Sequence, residues 1–354
     1  MEFYAAEDLK IFCEKLLTSY GVNERDASIA SESLIQANLE GVNSHGISRL
    51  PIYLKRLGGE RINPNPAIDL DVKTNSLLMV NGDNGLGQVV GYHAIKKGIE
   101  MAKESGVVAI GVNNSNHFGT ASFFCQLACK ENLACIGLTN SPSAIAPWGG
   151  RRPFFGTNPI AFGFPTGNDT PVIIDLSTSI AARGKIILAA KQGTEIPSGW
   201  ALDENGHSTT DPHQALNGSV LPLAGAKGSA LALGVEILTG ILAGAAFGPH
   251  VNNIYDEDTE RANVGHFFIL LDIEKFMSVE LFTAYLNNLL TEMKKLPKVP
   301  GLDEIRYPGE RRKKESSFHL ENGIPLSTIV KDELSELGQQ QNIEFPEPFV
   351  MKQI

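Results

Sequence analysis

The seven residues Asn43-Ser44-His45-Gly46-Ile47-Ser48-Arg49 set hydroxyls, an imidazole and a guanidinium side by side. An imidazole has an ordinary pKa of about 6.5, so it gives and takes protons near neutrality. A guanidinium presents a planar fork of donors that matches a carboxylate at two points. Together they suit a small substrate carrying both an acid group and a transferable proton. A plainer reading also exists, and spacing alone favours it: Asn43 or Ser44 caps a helix that Pro51-Ile52-Tyr53-Leu54 continues, with Arg49 in solvent.

Further along the chain, Asn114-Ser115-Asn116-His117-Phe118-Gly119 places a second histidine at a strand end, where a helix-start hydrogen bonder is the alternative role. Thr139-Asn140-Ser141-Pro142 is a polar loop of the kind that binds ligands. In Asp175-Leu176-Ser177-Thr178-Ser179 an acid and three hydroxyls end an apolar run, and backbone amides there can receive a pyrophosphate. Lys227 sits where a Gly/Ala-rich helix begins, a position suited to an anion. The turn Gly82 to Gly91 resembles a dinucleotide fingerprint but fails it. Val90 stands where the third glycine belongs, and Asn113 stands where an acid would hold the ribose. The eight histidines show no paired helical spacing, so no metal site can be drawn from sequence.

The elements that must position these residues follow from periodicity. Three helices fill roughly the first 60 residues, with Leu9, Phe12, Leu16 and Leu17 on one face and Asn23 and Asp26 opening the second. Pro64 and Pro66 break the pattern, and a boundary is placed near residue 74. A strand at 76–81, a helix at 88–104 and a strand at 107–112 make one βαβ unit. Strands are expected at 133–138, 160–164 and 266–273, and the run Val172 to Ser179 reads as an apolar strand with its acid and hydroxyls at the end. Residues 228–248 read as one buried helix whose face is lined by Gly240, Gly244 and Gly248. An amphipathic helix at 278–294 and a last helix at 326–337 follow, separated by the turn Tyr307-Pro308-Gly309-Glu310.

At 354 residues the chain can bury a large core, and its net charge of -10 argues against nucleic acid or an anionic membrane as main partner. The run Arg311-Arg312-Lys313-Lys314 then reads as a solvated face. Four cysteines without a CxxC pair suit a reduced compartment. The acidic N-terminus shows no signal peptide, and the cytoplasm is the expected location.

Taken in order, Asn43-Ser44-His45-Gly46…Arg49, Ser115-Asn116-His117-Phe118-Gly119, Gly156-Thr157-Asn158-Pro159, Asp175 to Ser179, Ile196-Pro197-Ser198-Gly199-Trp200-Ala201 and Leu221-Pro222-Leu223…Lys227-Gly228 resemble the type-2 malate/L-lactate dehydrogenase family, from about residue 5 to about residue 310. Six motifs in register displace the helix-cap reading of the opening stretch. The resemblance implies an α/β chain with a mixed central sheet and a nicotinamide-binding fold unlike the Rossmann domain, in agreement with the failed fingerprint. It implies residues 75–277 as the dinucleotide-binding domain. Residues 1–74 would then be a helical substrate and dimerisation region, with 278–354 packing back onto it, in a homodimer.

By matching position, the resemblance makes His45 the proton donor and acceptor, Arg49 the carboxylate grip and Ser44 part of the same pocket. In the ureidoglycolate branch the histidine matching His117 is the base, so both imidazoles are candidates. The cofactor would be held by Asn140, Ser141, Asp175, Leu176, Ser177, Thr178, Ser179, Ala226, Lys227, Pro308, Gly309 and Glu310. Ser229-Ala230 replace a tyrosine and glycine of the common pattern. The cofactor is expected to be NAD, with NADP open, because no basic cluster adjoins these segments. The implied reaction interconverts a 2-hydroxy acid and its 2-oxo acid, malate and oxaloacetate foremost. Lactate, ureidoglycolate, sulfolactate and diketogulonate are other family substrates. Reduction of a cyclic-imine amino acid and a catalytically silent ligand-binding dimer are the alternatives.

Overall fold

The computed structural model describes residues 2–256 and 261–349; residues 350–354 of the segment expected to pack back on the N-terminal helices lie outside them. The apolar run Leu77–Asn81 pairs in parallel with Val107–Ser115, joined by the crossover helix Gly87–Ser105, which is the expected βαβ unit. The long-range partner of this unit is the strand Val264–Asp272. It inserts between Val107–Ser115 and Leu133–Thr139 and runs antiparallel to both. Apart from His266 and Asp272 its residues are apolar or glycine, and almost all are buried, as a strand covered on both faces requires. Ile160–Phe164 and Val172–Leu176 extend the sheet with antiparallel pairings, and the charged, exposed strand Asp69–Thr74 closes its other edge. The result is a mixed seven-stranded sheet ordered 69–74, 77–81, 107–115, 264–272, 133–139, 160–164, 172–176.

Two cores flank the helix Gly87–Ser105. Val90, Ala94 and Ile95 pack with Ile110, Phe124 and Phe268 of the sheet layer. Leu86 and Val89, at the start of the helix, pack instead with Leu16, Leu34 and Leu54 of the N-terminal helices Ala6–Ser19, Glu24–Leu39 and Leu50–Gly58. Asn23 caps the second of these by accepting from the Asp26 amide, as its spacing predicts. The same core takes in Ile324, Leu326 and Leu334: the strand Ile324–Leu326 pairs with Glu2–Tyr4, and the helix Thr328–Gln340 follows.

Three expectations need correction. The 228–248 stretch is not one buried helix. Ala226–Glu236 widens into a π-turn over Ile237–Leu242 and stops, with Gly244 and Gly248 at positive φ. The buried Glu236 carboxylate is the reason: it accepts the Gly248 amide at 2.7 Å and the Asn158 side chain at 2.6 Å, and the chain folds back to satisfy it. Leu231, Ile237, Ile241 and Leu242 consequently lie exposed. On the helix Val279–Lys294, Tyr285 and Leu289 of the apolar face likewise face outward. The basic run 311–314 is not simply a solvated face. It belongs to the helix Glu310–Asn322, and Arg312 turns inward to Glu40 at 2.7 Å and Asp175 at 3.2 Å. Among the described residues no helix is long and apolar enough to cross a membrane, and no three His, Cys, Asp or Glu side chains gather as a metal site.

Candidate active site

The opening motif folds as two short turns, Asn43–His45 and Ile47–Arg49, leading into the helix Leu50–Gly58. Neither Asn43 nor Ser44 caps that helix by a side-chain bond. The buried Asn38 holds the loop instead: its amide nitrogen donates to Asn43 Oδ1 at 2.8 Å, and its oxygen accepts the Ile47 amide at 2.7 Å. A Cβ on Gly46 would overlap that amide, which fixes glycine there. Ser44 Oγ lies 2.9 Å from His45 Nδ1, and Arg49 Nε donates to the Ser44 carbonyl at 2.6 Å. Among the described residues the two terminal nitrogens of Arg49 have no hydrogen-bond partner. The guanidinium carbon lies 5.7 Å from the Tyr255 ring centroid.

His117 arrives from the end of Val107–Ser115. Asn116 pins the turn by donating to Gly85 O at 2.8 Å, and Gly87 lets the helix Gly87–Ser105 begin against the 116–117 carbonyls, where a Cβ would collide. The ring comes to rest 5.7 Å from that of His45, tilted by 28°. Residues 72 apart in sequence thus share one cluster, with Ser44 and Arg49 beside them. Tyr53, which the sequence reading passed over, completes it: its hydroxyl lies 2.6 Å from His117 Nδ1 and accepts from Gln88 Nε2 at 3.1 Å. With the amide so oriented, the tyrosine proton points at Nδ1 and the neutral ring carries its own proton on Nε2. The available signal was spacing, since Tyr53 stands one helical turn after Arg49.

Burial makes both rings reluctant to charge. It lowers the pKa of His45 to about 4, helped by the cations of Arg49 and Arg312. It holds His117 well below the ordinary value, with His45, Arg49 and His266 adding to the effect. Burial also raises Tyr53 to about 12, so it remains a hydroxyl. His266 is a structural counterpart, fully buried between Thr139 Oγ1 at 2.7 Å and Ser115 Oγ at 2.9 Å, with its pKa lowered to about 3.

The segments expected to hold a cofactor form one continuous band. Ser141 Oγ accepts the Thr157 amide, Thr157 O accepts from Thr178 Oγ1, and Thr178 O accepts the Leu223 amide just before Ala226 and Lys227. Pro308 O accepts the Ile173 amide, which ties the 308–310 turn to the strand that ends at Leu176. Several expected side chains are engaged internally. Asn140 serves the Gly265 amide and the Ala246 carbonyl, Asp175 serves the Ser122 amide and Arg312, and Glu310 pairs with Lys294 and the Tyr307 amide. Ser177 and Ser179 bond to each other at 2.9 Å. Lys227 is exposed in the first turn of an eleven-residue helix whose N-cap, Gly225, offers no side-chain bond. Helix N-terminal amides, an exposed ammonium and adjacent hydroxyls fit a dinucleotide pyrophosphate.

The malate/L-lactate dehydrogenase family model matches residues 4–335. The malate/(S)-sulfolactate dehydrogenase of Methanothermus fervidus is 38% identical over 93% of this chain and 95% of its own length. Among solved structures, sulfolactate dehydrogenase from Methanocaldococcus jannaschii superposes with a TM-score of 0.91 at 36% identity, covering 97% of this chain and 98% of that one. Malate dehydrogenase from Entamoeba histolytica superposes at 0.93 with 30% identity, covering 98% and 99%.

Proposed function

This chain belongs to the malate/L-lactate dehydrogenase family, and from that premise we propose that it interconverts malate and oxaloacetate with a nicotinamide dinucleotide. The observation that carries the reading is the meeting of His45, His117, Tyr53 and Arg49 in one cluster. The free fork of Arg49 grips the substrate carboxylate at two points and so sets C2. In the oxidative direction His45, neutral when free, accepts the hydroxyl proton at its Nε2. His117, held by Tyr53, donates from its own Nε2 to the same oxygen and keeps it oriented. In the reductive direction an imidazolium polarises the carbonyl, and the bound carboxylate favours that charge. When bound, the nicotinamide supplies the hydride exchange that no side chain can. Ser44 orients His45. Lys227 and the helix amides hold the pyrophosphate without a Rossmann glycine turn, the hydroxyls of Ser177, Thr178 and Ser179 line its approach, and NAD is the assigned cofactor.

The exposed apolar residues of Ala226–Leu242 and of Val279–Lys294 support a homodimer, with the N-terminal helical region and the C-terminal segment forming one unit against the dinucleotide-binding sheet. The test is an absorbance assay with NADH and with NADPH against oxaloacetate, pyruvate, 3-sulfopyruvate and a cyclic imino acid. Fastest turnover is expected with NADH and oxaloacetate. A preference for sulfopyruvate or the imine would replace the substrate, and no oxidation with any of them would leave a silent binding protein.

A further inference from the structure

A single partly buried guanidinium touches the approaches to all three functional segments. Arg312 Nη1 donates to Glu40 Oε2 at 2.7 Å and to Ser122 Oγ at 3.1 Å, while Nη2 donates to Asp175 Oδ2 at 3.2 Å. Glu40 ends the helix that delivers the Asn43–Arg49 motif, and its other oxygen accepts from Gln36 at 2.9 Å and Gln126 at 2.6 Å. Ser122 lies in the first turn of the helix Ala121–Cys129 that follows His117, and its amide donates to the same Asp175 oxygen at 3.2 Å. Asp175 opens the 175–179 band. The side chains of Glu40, Asp175 and Arg312 are 7%, 12% and 15% exposed, so this is a largely shielded junction of one cation with two carboxylates, open on one side to a cavity lined by Glu40 and Arg312.

We propose that Arg312 is a positioning residue that couples the substrate half of the site to the cofactor half. This role rests on the dehydrogenase reading above, and it makes ordering of the 175–179 band felt at the loop that carries His45 and Arg49. The geometry needs a guanidinium: three acceptors lie around one planar fork, and an ammonium, a point charge on a flexible stem, cannot serve them together. Removing the cation leaves two largely shielded carboxylates with only neutral donors, the Ser122 amide on Asp175 and Gln36 and Gln126 on Glu40. The charge also reaches the pocket. The groups facing His45 are Arg49 on its own segment, His117 and Tyr53 across the pocket, and Arg312 from the C-terminal helix.

Three variants test this. Arg312→Lys keeps the charge and loses the fork, Arg312→Gln loses both, and Ser122→Ala removes one contact and is mild enough to fold. In Arg312→Lys the KM for the oxo acid and the Kd for NADH should both rise about fivefold or more, and in Ser122→Ala about twofold. NMR titration of the His45 imidazole in cofactor-free protein should move up by about half a unit in Arg312→Gln and stay in place in Arg312→Lys. Wild-type constants in Arg312→Lys and Ser122→Ala, with only the melting temperature lowered, would reduce Arg312 to a structural ion pair and overturn the proposal. An unmoved His45 titration in Arg312→Gln also counts against it. If wild-type protein turns over no oxo acid, the dehydrogenase reading fails, and the NADH titrations and the His45 titration still decide the coupling.

Discussion

The two halves of the proposed site are built on opposite plans. Around His45 and His117 the backbone is held by residues with no chemical part, such as Asn38, Asn116 and the two close-packed glycines, so the reactive groups stay open. Along the 140–141, 175–179, 226–227 and 308–310 band the situation reverses. Asn140, Asp175 and Glu310 are engaged by neighbours, and what remains for a ligand is helix amides, small hydroxyls and one lysine. Acid-base chemistry needs particular side-chain atoms, whereas holding a pyrophosphate needs mostly backbone dipoles. Side-chain substitutions should therefore be severe in the first half and mild in the second.

The largest effect is expected at the imidazoles. His45→Ala should lower turnover about 100- to 10,000-fold with cofactor affinity nearly intact, since positioned acid-base catalysis contributes that much. His117→Ala, measured alongside, ranks the two rings. Wild-type turnover in His45→Ala would end its assignment and pass the role to His117. The same plan predicts an unusual pH profile. Because His45 is held near 4 by burial and two cations, the acid limb of kcat/KM for hydroxy-acid oxidation should lie below pH 6. A limb at the ordinary imidazole value would show that neither ring is desolvated in the working enzyme.

Buried neutral histidines also shape stability, and the sign follows from their folded pKa values lying below the unfolded value. The folded state binds fewer protons than the unfolded one between the two, so stability is complete above about pH 6.5 and is lost as pH falls through the folded value. For His266, lowered to about 3, the loss should reach about 2–3 kcal/mol by pH 4.5. Urea midpoints at pH 7 and pH 4.5 measure it, and His266→Gln should flatten the difference. An equal slope in the variant would place the acid sensitivity elsewhere.

How much of this was legible in the chain depends on the distance a contact spans. The βαβ unit, the Asn23 cap and the spacing of His45 and Arg49 are local patterns, and the sequence displays them. The insertion of Val264–Asp272 between strands ending more than a hundred residues earlier leaves no local trace, because its apolar run fits any covered position in a sheet. Arg312 is hidden for the same reason: within a basic run it looks solvated, and its partner Glu40 lies 272 residues away. The engaged state of Asn140, Asp175 and Glu310 was equally hidden, since residue type shows what a side chain can do and only the fold shows which neighbour already holds it.

Arg49 and Lys227 compare the two plans directly, because each is a cation proposed to meet an anion. Arg49→Lys keeps the charge but loses the planar two-point contact, so the KM for the oxo acid should rise about tenfold or more. An unchanged KM would remove Arg49 as the carboxylate grip. Lys227→Ala removes a charge outright, yet the helix amides around it remain, and an exposed cation near a helix N-terminus adds only about 1 kcal/mol or less. The Kd for NADH should rise no more than about fivefold at low salt and less at high salt, where exposed charges are screened. A loss of a hundredfold would mean that Lys227 is desolvated on binding and that the cofactor half, like the substrate half, depends on a single side chain.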